Sequence, residues 1–246
     1  MRLELTFESS TNIISADYRR IFVSFLKNAI GSAKQAQYYE RYFSTLAKDY
    51  SFTVIFENPK FQGDEIHLGG RNIKMIFSAA DSNNTGFIFG HAFIAQENKE
   101  FPLPRGHSMI LKSMKKVKEE QIVNSKVIFK TIVGTGLVIR EHFRDTNKDK
   151  YYVWGEKQAE VQFQRVLIEQ LSRAGFALAQ AENIQVKPIQ SKKVVVKHYE
   201  RYIDVNVGMF EMQADTSVLQ YLYQAGAGSR HSIGFGMLEL VTQDLL

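Results

Sequence analysis

The sequence has no cysteine, which excludes a disulfide framework, a thiol nucleophile and a thiolate metal site. A reducing cytoplasm is the compartment this favours. Proline is scarce, at four, and apolar residues make up 44%, so the chain is expected to form one large or two small globular domains rather than a collagen-like or disordered segment. Apolar runs are only a few residues long, as in Ile21-Phe22-Val23, far short of the roughly 20 that would cross a bilayer. No membrane partner is expected. The opening residues alternate apolar with charged side chains and read as a strand, not as a secretory signal.

Charge is present and unevenly placed. The 31 basic and 26 acidic side chains leave a net +5. Residues 105–130 hold seven Lys/Arg against Glu119 and Glu120, and residues 186–201 hold five against Glu200, so the rest of the chain is mildly acidic. Two basic strips on an acidic body suit a polyanion partner, because clustered cations release counterions from a phosphate backbone. Lysine-rich solvated strand edges are the competing explanation.

Hydrophobic periodicity divides the chain in two. Residues 2–8 put Leu3, Leu5 and Phe7 on one face of a strand, and Ile21, Phe22, Phe25, Leu26 and Ala29 recur at helical spacing from the Asp17 region to Gly31. A second helical segment over 32–48 carries Tyr38, Tyr39 and Tyr42. Residues 52–57 and 72–77 read as strands around a loop at 64–70, while 81–96 mixes Asn, Gly and Phe too evenly to separate a helix from a strand pair. After Asn124 the order restarts. A strand over 126–133, an extended piece over 150–154 and an amphipathic helix over 156–173 lead to two long extended stretches, 185–199 and 202–213. A helix over 216–223, a glycine-rich loop and a last strand follow. Two halves, 1–123 and 124–246, each reading about βαββαβ, predict an α+β fold of two tandem ferredoxin-like (RRM-like) domains with mostly antiparallel sheets and helices on one face. Such sheets often bind single-stranded RNA, but fold alone does not fix function.

Residues 225–236, Ala-Gly-Ala-Gly-Ser-Arg-His-Ser-Ile-Gly-Phe-Gly, are the most distinctive stretch. The glycines let backbone amides approach a ligand and form an anion-binding nest, and Ser229, Arg230 and Ser232 add donors for phosphate. A dinucleotide loop is not expected, because ten residues after Gly236 leave no room for the helix, strand and acidic ribose ligand it requires. A glycine-rich turn before an edge strand remains the alternative.

The tail residues Gly208-Met209-Phe210, Leu219, Tyr223, Gly226, Gly228, Ser232 and Gly234-Phe235-Gly236-Met237 resemble the C-terminal signature of the CRISPR-associated endoribonucleases that process precursor CRISPR RNA, within the repeat-associated RAMP superfamily. Lys27-Asn28-Ala29-Ile30, Phe129-Lys130-Thr131-Ile132-Val133, and Lys197-His198 leading into Tyr202 fall in the family's order. The resemblance implies the same tandem fold and a metal-independent, cofactor-free cleavage in which a 2′-hydroxyl attacks the adjacent phosphate. The products are a 2′,3′-cyclic phosphate and a 5′-hydroxyl. It implies CRISPR repeat RNA and precursor crRNA as partners and leaves a homodimer and other CRISPR effector subunits open. The alternative is a catalytically inactive repeat-RNA-binding subunit of an effector complex, and a third is an unrelated adaptor for acidic proteins.

Many relatives carry a histidine at the end of the second helical segment. Here 31–50 contains none, and Tyr42, Phe43 and Ser44 stand near that place. The resemblance therefore points to a pattern in which Lys27 and Lys48 contact the scissile phosphate while Tyr42, or Tyr39 one turn earlier, positions or protonates an oxygen. Tyrosine, titrating near ~10, is a poor base at neutral pH. His67, His91, His107, His142 and His198 are dispersed without paired spacing, whereas His231 lies beside Arg230 inside the loop and is the histidine expected to act from the second half. RNA contacts are expected from Gly226, Gly228, Ser229, Arg230 and Ser232, and from Lys115, Lys116, Lys193 and Lys197. Lys193 and Lys197 share a strand face while Val194 and Val196 turn inward.

Overall fold

Alternation over the first nine residues forms β1 (Arg2–Ser9), with Leu3, Leu5 and Phe7 buried. The structure, a computed structural model, describes residues 1–32, 36–44 and 48–245. After β1 come β2 (Ile13–Ser15), α1 (Tyr18–Ser32), the short α2 (Tyr39–Phe43), β3 (Tyr50–Phe56), β4 (Lys60–Gln62) and β5 (Glu65–His67). Then follow β6 (Asn72–Ala79), α3 (Thr85–Ile94), β7 (Glu100–Pro102) and β8 (Ser108–Val117). The main sheet runs β3-β6-β1-β8-β7, every neighbour antiparallel, and β2, β5 and β4 make a small annex.

The second half contains β9 (Lys126–Thr131), the hairpin β10 (Ile139–Phe143) and β11 (Lys148–Tyr152), α4 (Ala159–Arg173) and α5 (Leu178–Glu182). A long hairpin, β12 (Gln185–His198) and β13 (Arg201–Gln213), precedes α6 (Thr216–Ala225) and β14 (Leu238–Thr242). Its sheet runs β12-β13-β9-β14, again antiparallel. In both sheets the second, third, first and fourth main strands lie side by side, so the chain is a tandem of ferredoxin-like βαββαβ units.

Several local expectations are corrected. Residues 81–96 form a 3-10 turn and then α3, and the helical period was hidden because Phe87 and Ile94 point outward while Ile88, Phe89 and Phe93 are buried. The expected loop at 64–70 contains β5, and the extended piece expected over 150–154 is largely β11, paired in a hairpin with β10, which was not foreseen. Of the helix expected over 32–48, only a turn at Ala36–Tyr38 and α2 are seen; 33–35 and 45–47 lie outside the described residues. Val194 and Val196 do pack inward, against a cluster of Val138, Ile203, Val205 and Phe235.

One core draws on residues between Leu3 and Leu111, the other on Ala80 and residues between Ile122 and Leu238. Rings such as Phe7, Phe22, Phe52, Phe129 and Phe210 are fully buried, each worth roughly 1.5–3 kcal/mol of hydrophobic transfer. Two buried arginines of the first half join the cores. Arg2 donates to the carbonyls of Tyr223 at 3.0 Å and Leu238 at 3.1 Å and lies 4.4 Å over the Tyr223 ring. Arg19 donates to the carbonyls of Gly234 at 3.1 Å and Gly134 at 2.6 Å and lies 4.4 Å from the Phe235 ring centroid. Both take backbone acceptors that docking removes from water, which would be costly to leave unpaired.

Candidate functional site

The glycine-rich loop begins where α6 ends. Gly226 has φ +84° and lies so close to β3 that a side-chain Cβ would stand 2.7 Å from that of Ser51. Its amide donates to the Leu222 carbonyl, and its own carbonyl accepts from Gln170 Nε2 at 2.7 Å. The other end of the Gln170 amide, Oε1, accepts from the Gly228 amide at 3.0 Å, and the Ser229 amide donates to the Val138 carbonyl. Gly226 and Gly228 are buried with their amides committed. The expected anion nest therefore does not form from these two amides: Gly226 serves packing in this structure, while Gly228 still lines the cleft described next. The loop then turns at Arg230 (φ 62°) into a 3-10 turn over His231–Ile233.

Between this loop, α4 and β10 lies a cleft of about 820 Å³. Six Lys/Arg side chains line it against two Glu, so its field is strongly positive. Lys48 enters from the first domain, and Ser229, Arg230, His231 and Ser232 enter from the loop. His231 Nδ1 donates to the Tyr50 carbonyl at 3.0 Å, tying the loop to β3. Burial pushes the imidazole below its ordinary pKa, partly offset by the Tyr50 and Ala225 carbonyls, and Lys48 adds a small lowering through its charge. The ring is therefore neutral at neutral pH. The Lys48 Nζ donates to the Ser44 carbonyl at 2.7 Å, and burial lowers its pKa while Asp49 raises it.

Tyr42 is elsewhere. Its ring is 1% exposed, packed against Tyr50 and Phe89. Its hydroxyl lies 3.0 Å from Thr85 Oγ1, which donates to Asp49 at 2.8 Å, so Tyr42 supplies the proton to Thr85. Burial raises the phenol pKa. Tyr42 thus lies outside the main cleft and, through Thr85, supports Asp49 next to Lys48; it opens onto a smaller pocket that it lines with Lys48, Asp49 and Arg173. Tyr39 packs on Phe43 at 5.0 Å, and Lys27 lies exposed 5.8 Å from the same ring. Neither lines the cleft. Of the strip lysines, Lys115 pairs with Glu4 at 3.0 Å, Lys193 with Asp204 at 2.7 Å and Lys197 with Asp64 at 2.6 Å, while Lys116 is exposed. These four also lie outside the cleft walls.

Sequence reasoning missed a group on the opposite wall. Asp149 of β11 accepts from Arg140 at 2.7 Å, His142 at 2.8 Å and Arg230 at 3.0 Å. Partial burial opposes its ionisation, but hydrogen bonds from Arg140 and His142 and the nearby guanidinium charges win, holding the carboxyl well below the usual carboxylate range. The cross-strand pairing of His142 with Asp149 creates this contact. A polar strand with no apolar alternation gave no signal for it. Among the described residues, no group of three or more His, Asp or Glu is placed to hold a metal ion.

A tandem of ferredoxin-like units joined through a glycine-rich loop beside a cationic cleft defines a RAMP-type fold. Residues 115–240 match the family model described as CRISPR associated protein Cas6, C-terminal, and the chain belongs to this Cas6 family of CRISPR RNA-processing proteins. A solved structure described as an RAMP protein binding different RNA substrates matches with a TM-score of 0.81 at 17% identity, covering 98% of this chain and 100% of that one. A Cas6-related protein from Pyrococcus furiosus matches at 0.81 and 16% identity over 99% of each chain. A structure described as CRISPR associated protein Cas6 matches at 0.75 and 16% identity, covering 98% of this chain and 99% of that one. At such identities the likeness shows the fold. No curated protein sequence matches closely enough to count as a relative.

Proposed function

We propose that the chain is an endoribonuclease that cuts CRISPR repeat RNA within precursor transcripts to generate guide crRNAs. The observation that carries this reading is that Lys48 and His231, from opposite halves of the chain, line one cationic cleft beside Ser229, Arg230 and Ser232. A 2′-hydroxyl attacks the adjacent phosphorus, the bond to the 5′-oxygen breaks, and the ends are a 2′,3′-cyclic phosphate and a 5′-hydroxyl. Neutral His231 takes the 2′-hydroxyl proton. The Lys48 ammonium stabilises charge on the phosphorane and gives a proton to the departing 5′-oxygen as its bond to phosphorus breaks. Arg230 and the two serines hold the RNA backbone. These steps use side chains for each proton and charge and require no metal or cofactor.

A second reading is an RNA-holding subunit without activity. It is favoured by the placement of Lys27, Tyr39 and Tyr42 away from the cleft walls or within the core. End-labelled repeat RNA incubated in excess EDTA, beside RNAs carrying one 2′-deoxy substitution at each position, separates the two. Cleavage that a single deoxy position abolishes supports the nuclease. Tight binding without cleavage leaves the holding subunit.

A further inference from the structure

The cluster around Asp149 lies wholly within the second half of the chain, and of its side chains the proposed function uses only Arg230. It faces the cleft through Arg140 and His142 of β10 and Arg230 of the loop. Two guanidinium groups and an imidazole converge on one carboxylate, so the cluster carries more positive than negative charge even with His142 neutral. Tyr151 shares the site, its hydroxyl accepting from Arg230 at 2.8 Å and donating to Asp149 at 3.3 Å. The Nε atoms of Arg140 and Arg230 are buried without an acceptor. Arg144 and Arg165 continue the positive wall, the latter 3.8 Å from Glu141.

A carboxylate in a fork of guanidinium donors has the charge and paired acceptor oxygens that a phosphodiester offers through its non-bridging oxygens. We infer that Arg140, His142 and Arg230 form a phosphate-binding station for the substrate RNA, which Asp149 occupies in the free protein. The inference rests on the RNA-processing reading above. The station is built by β10, β11 and Arg230, beside His231 rather than on it, and is assigned a phosphate flanking the scissile one. Asp149 then acts as an internal competitor. It keeps the arginines ordered and sets how much binding energy an RNA phosphate must supply to enter.

The test is fluorescence anisotropy with labelled repeat RNA in EDTA at several salt concentrations, using the RNA with a 2′-deoxy block at the cleaved position if the wild type cuts. Asp149→Asn is expected to tighten binding several-fold by removing the competing charge. Arg140→Gln is expected to weaken it about tenfold and to reduce the salt slope by about 0.7, the value for one lost contact to a single strand. His142→Gln, at a side chain 38% exposed, gives a smaller loss in the same direction and serves if Arg140→Gln does not fold. Weaker binding by Asp149→Asn, or an unchanged affinity and slope in the folded Arg140 or His142 variant, overturns the inference and leaves the cluster as a brace for the hairpin. A wild type that binds no repeat RNA overturns the functional reading as well.

Discussion

Arg19 Nε donates to the carbonyl of Gly234, 215 residues further along the chain, at 3.1 Å. With its second bond to Gly134, this one guanidinium fixes both the strand-to-strand turn after β9 and the end of the glycine-rich loop. Arg19→Ala removes the donor and leaves the Gly234 carbonyl facing a buried gap, while Gly134 keeps only the longer bond from the Tyr18 hydroxyl, an expected cost of roughly 2–5 kcal/mol. Urea unfolding measures that loss. RNA cleavage should fall in the same variant under conditions where most of the protein is still folded, because the loop has lost its anchor.

His231→Ala and Lys48→Ala are each expected to lower single-turnover cleavage by about 10²-fold or more, with a smaller effect on RNA affinity. The wild-type pH profile carries a further signature. A base with a depressed pKa gives a rate that rises with pH at unit slope and levels off before pH 6.5, the ordinary histidine value. That limb should vanish in His231→Ala, and a limb that survives would assign the proton transfer to another group.

Tyr42→Phe separates a packing role from a catalytic one. Thr85 keeps its bond to Asp49, and one hydrogen bond of about 1 kcal/mol is lost. Thermal melting should register that cost while single-turnover cleavage stays within about twofold. A hundredfold loss of rate with an unchanged melting temperature would return the hydroxyl to the chemistry.

His198 predicts an acid-sensitive stability. It is buried at the end of β12 between Tyr199 and Phe235, with neither ring nitrogen hydrogen-bonded. Burial, helped by the charges of Arg230, Arg19 and Arg20, takes its pKa down to about 3. The unfolded chain therefore binds a proton that the folded one refuses between pH 6.5 and 3. Stability is full above that window and falls across it by roughly 3–5 kcal/mol. His198→Phe should flatten this dependence and keep or raise stability at neutral pH, since it replaces two unbonded polar atoms with apolar ones. Equilibrium unfolding of the two proteins at pH 7 and pH 4 checks the sign.

The elements legible in the sequence are those whose side chains separate cleanly by face. Leu3, Leu5 and Phe7 announced β1, and Phe163, Val166, Leu167 and Leu171 announced α4. Where apolar residues surround a helix, as Phe87 and Ile94 do opposite the buried face of α3, periodicity carries no information. The candidate site was legible in part. Lys48, Ser229, Arg230, His231 and Ser232 do meet, because a loop rich in glycine was a visible marker. The burial of Tyr42 was not legible, because an aromatic hydroxyl on a helix looks alike in sequence whether it faces solvent or the core. His142, Arg140 and Asp149 were illegible for a different reason: they meet only through the register of a charged hairpin, and register leaves no trace in composition.

The glycine loop has one more implication. Its glycines are required by close approach to Ser51, to the side chains of Arg19, Phe52 and Phe163, and to backbone at Val138 and Ala227, whereas the proposed proton transfer rests on the side chains of His231 and Lys48. The packing of this loop is thus independent of the groups assigned the chemistry. Exchange of Lys48 alone would leave every glycine contact and the tie from His231 to Tyr50 in place, so the loop would keep its packing whether or not the chain turned RNA over.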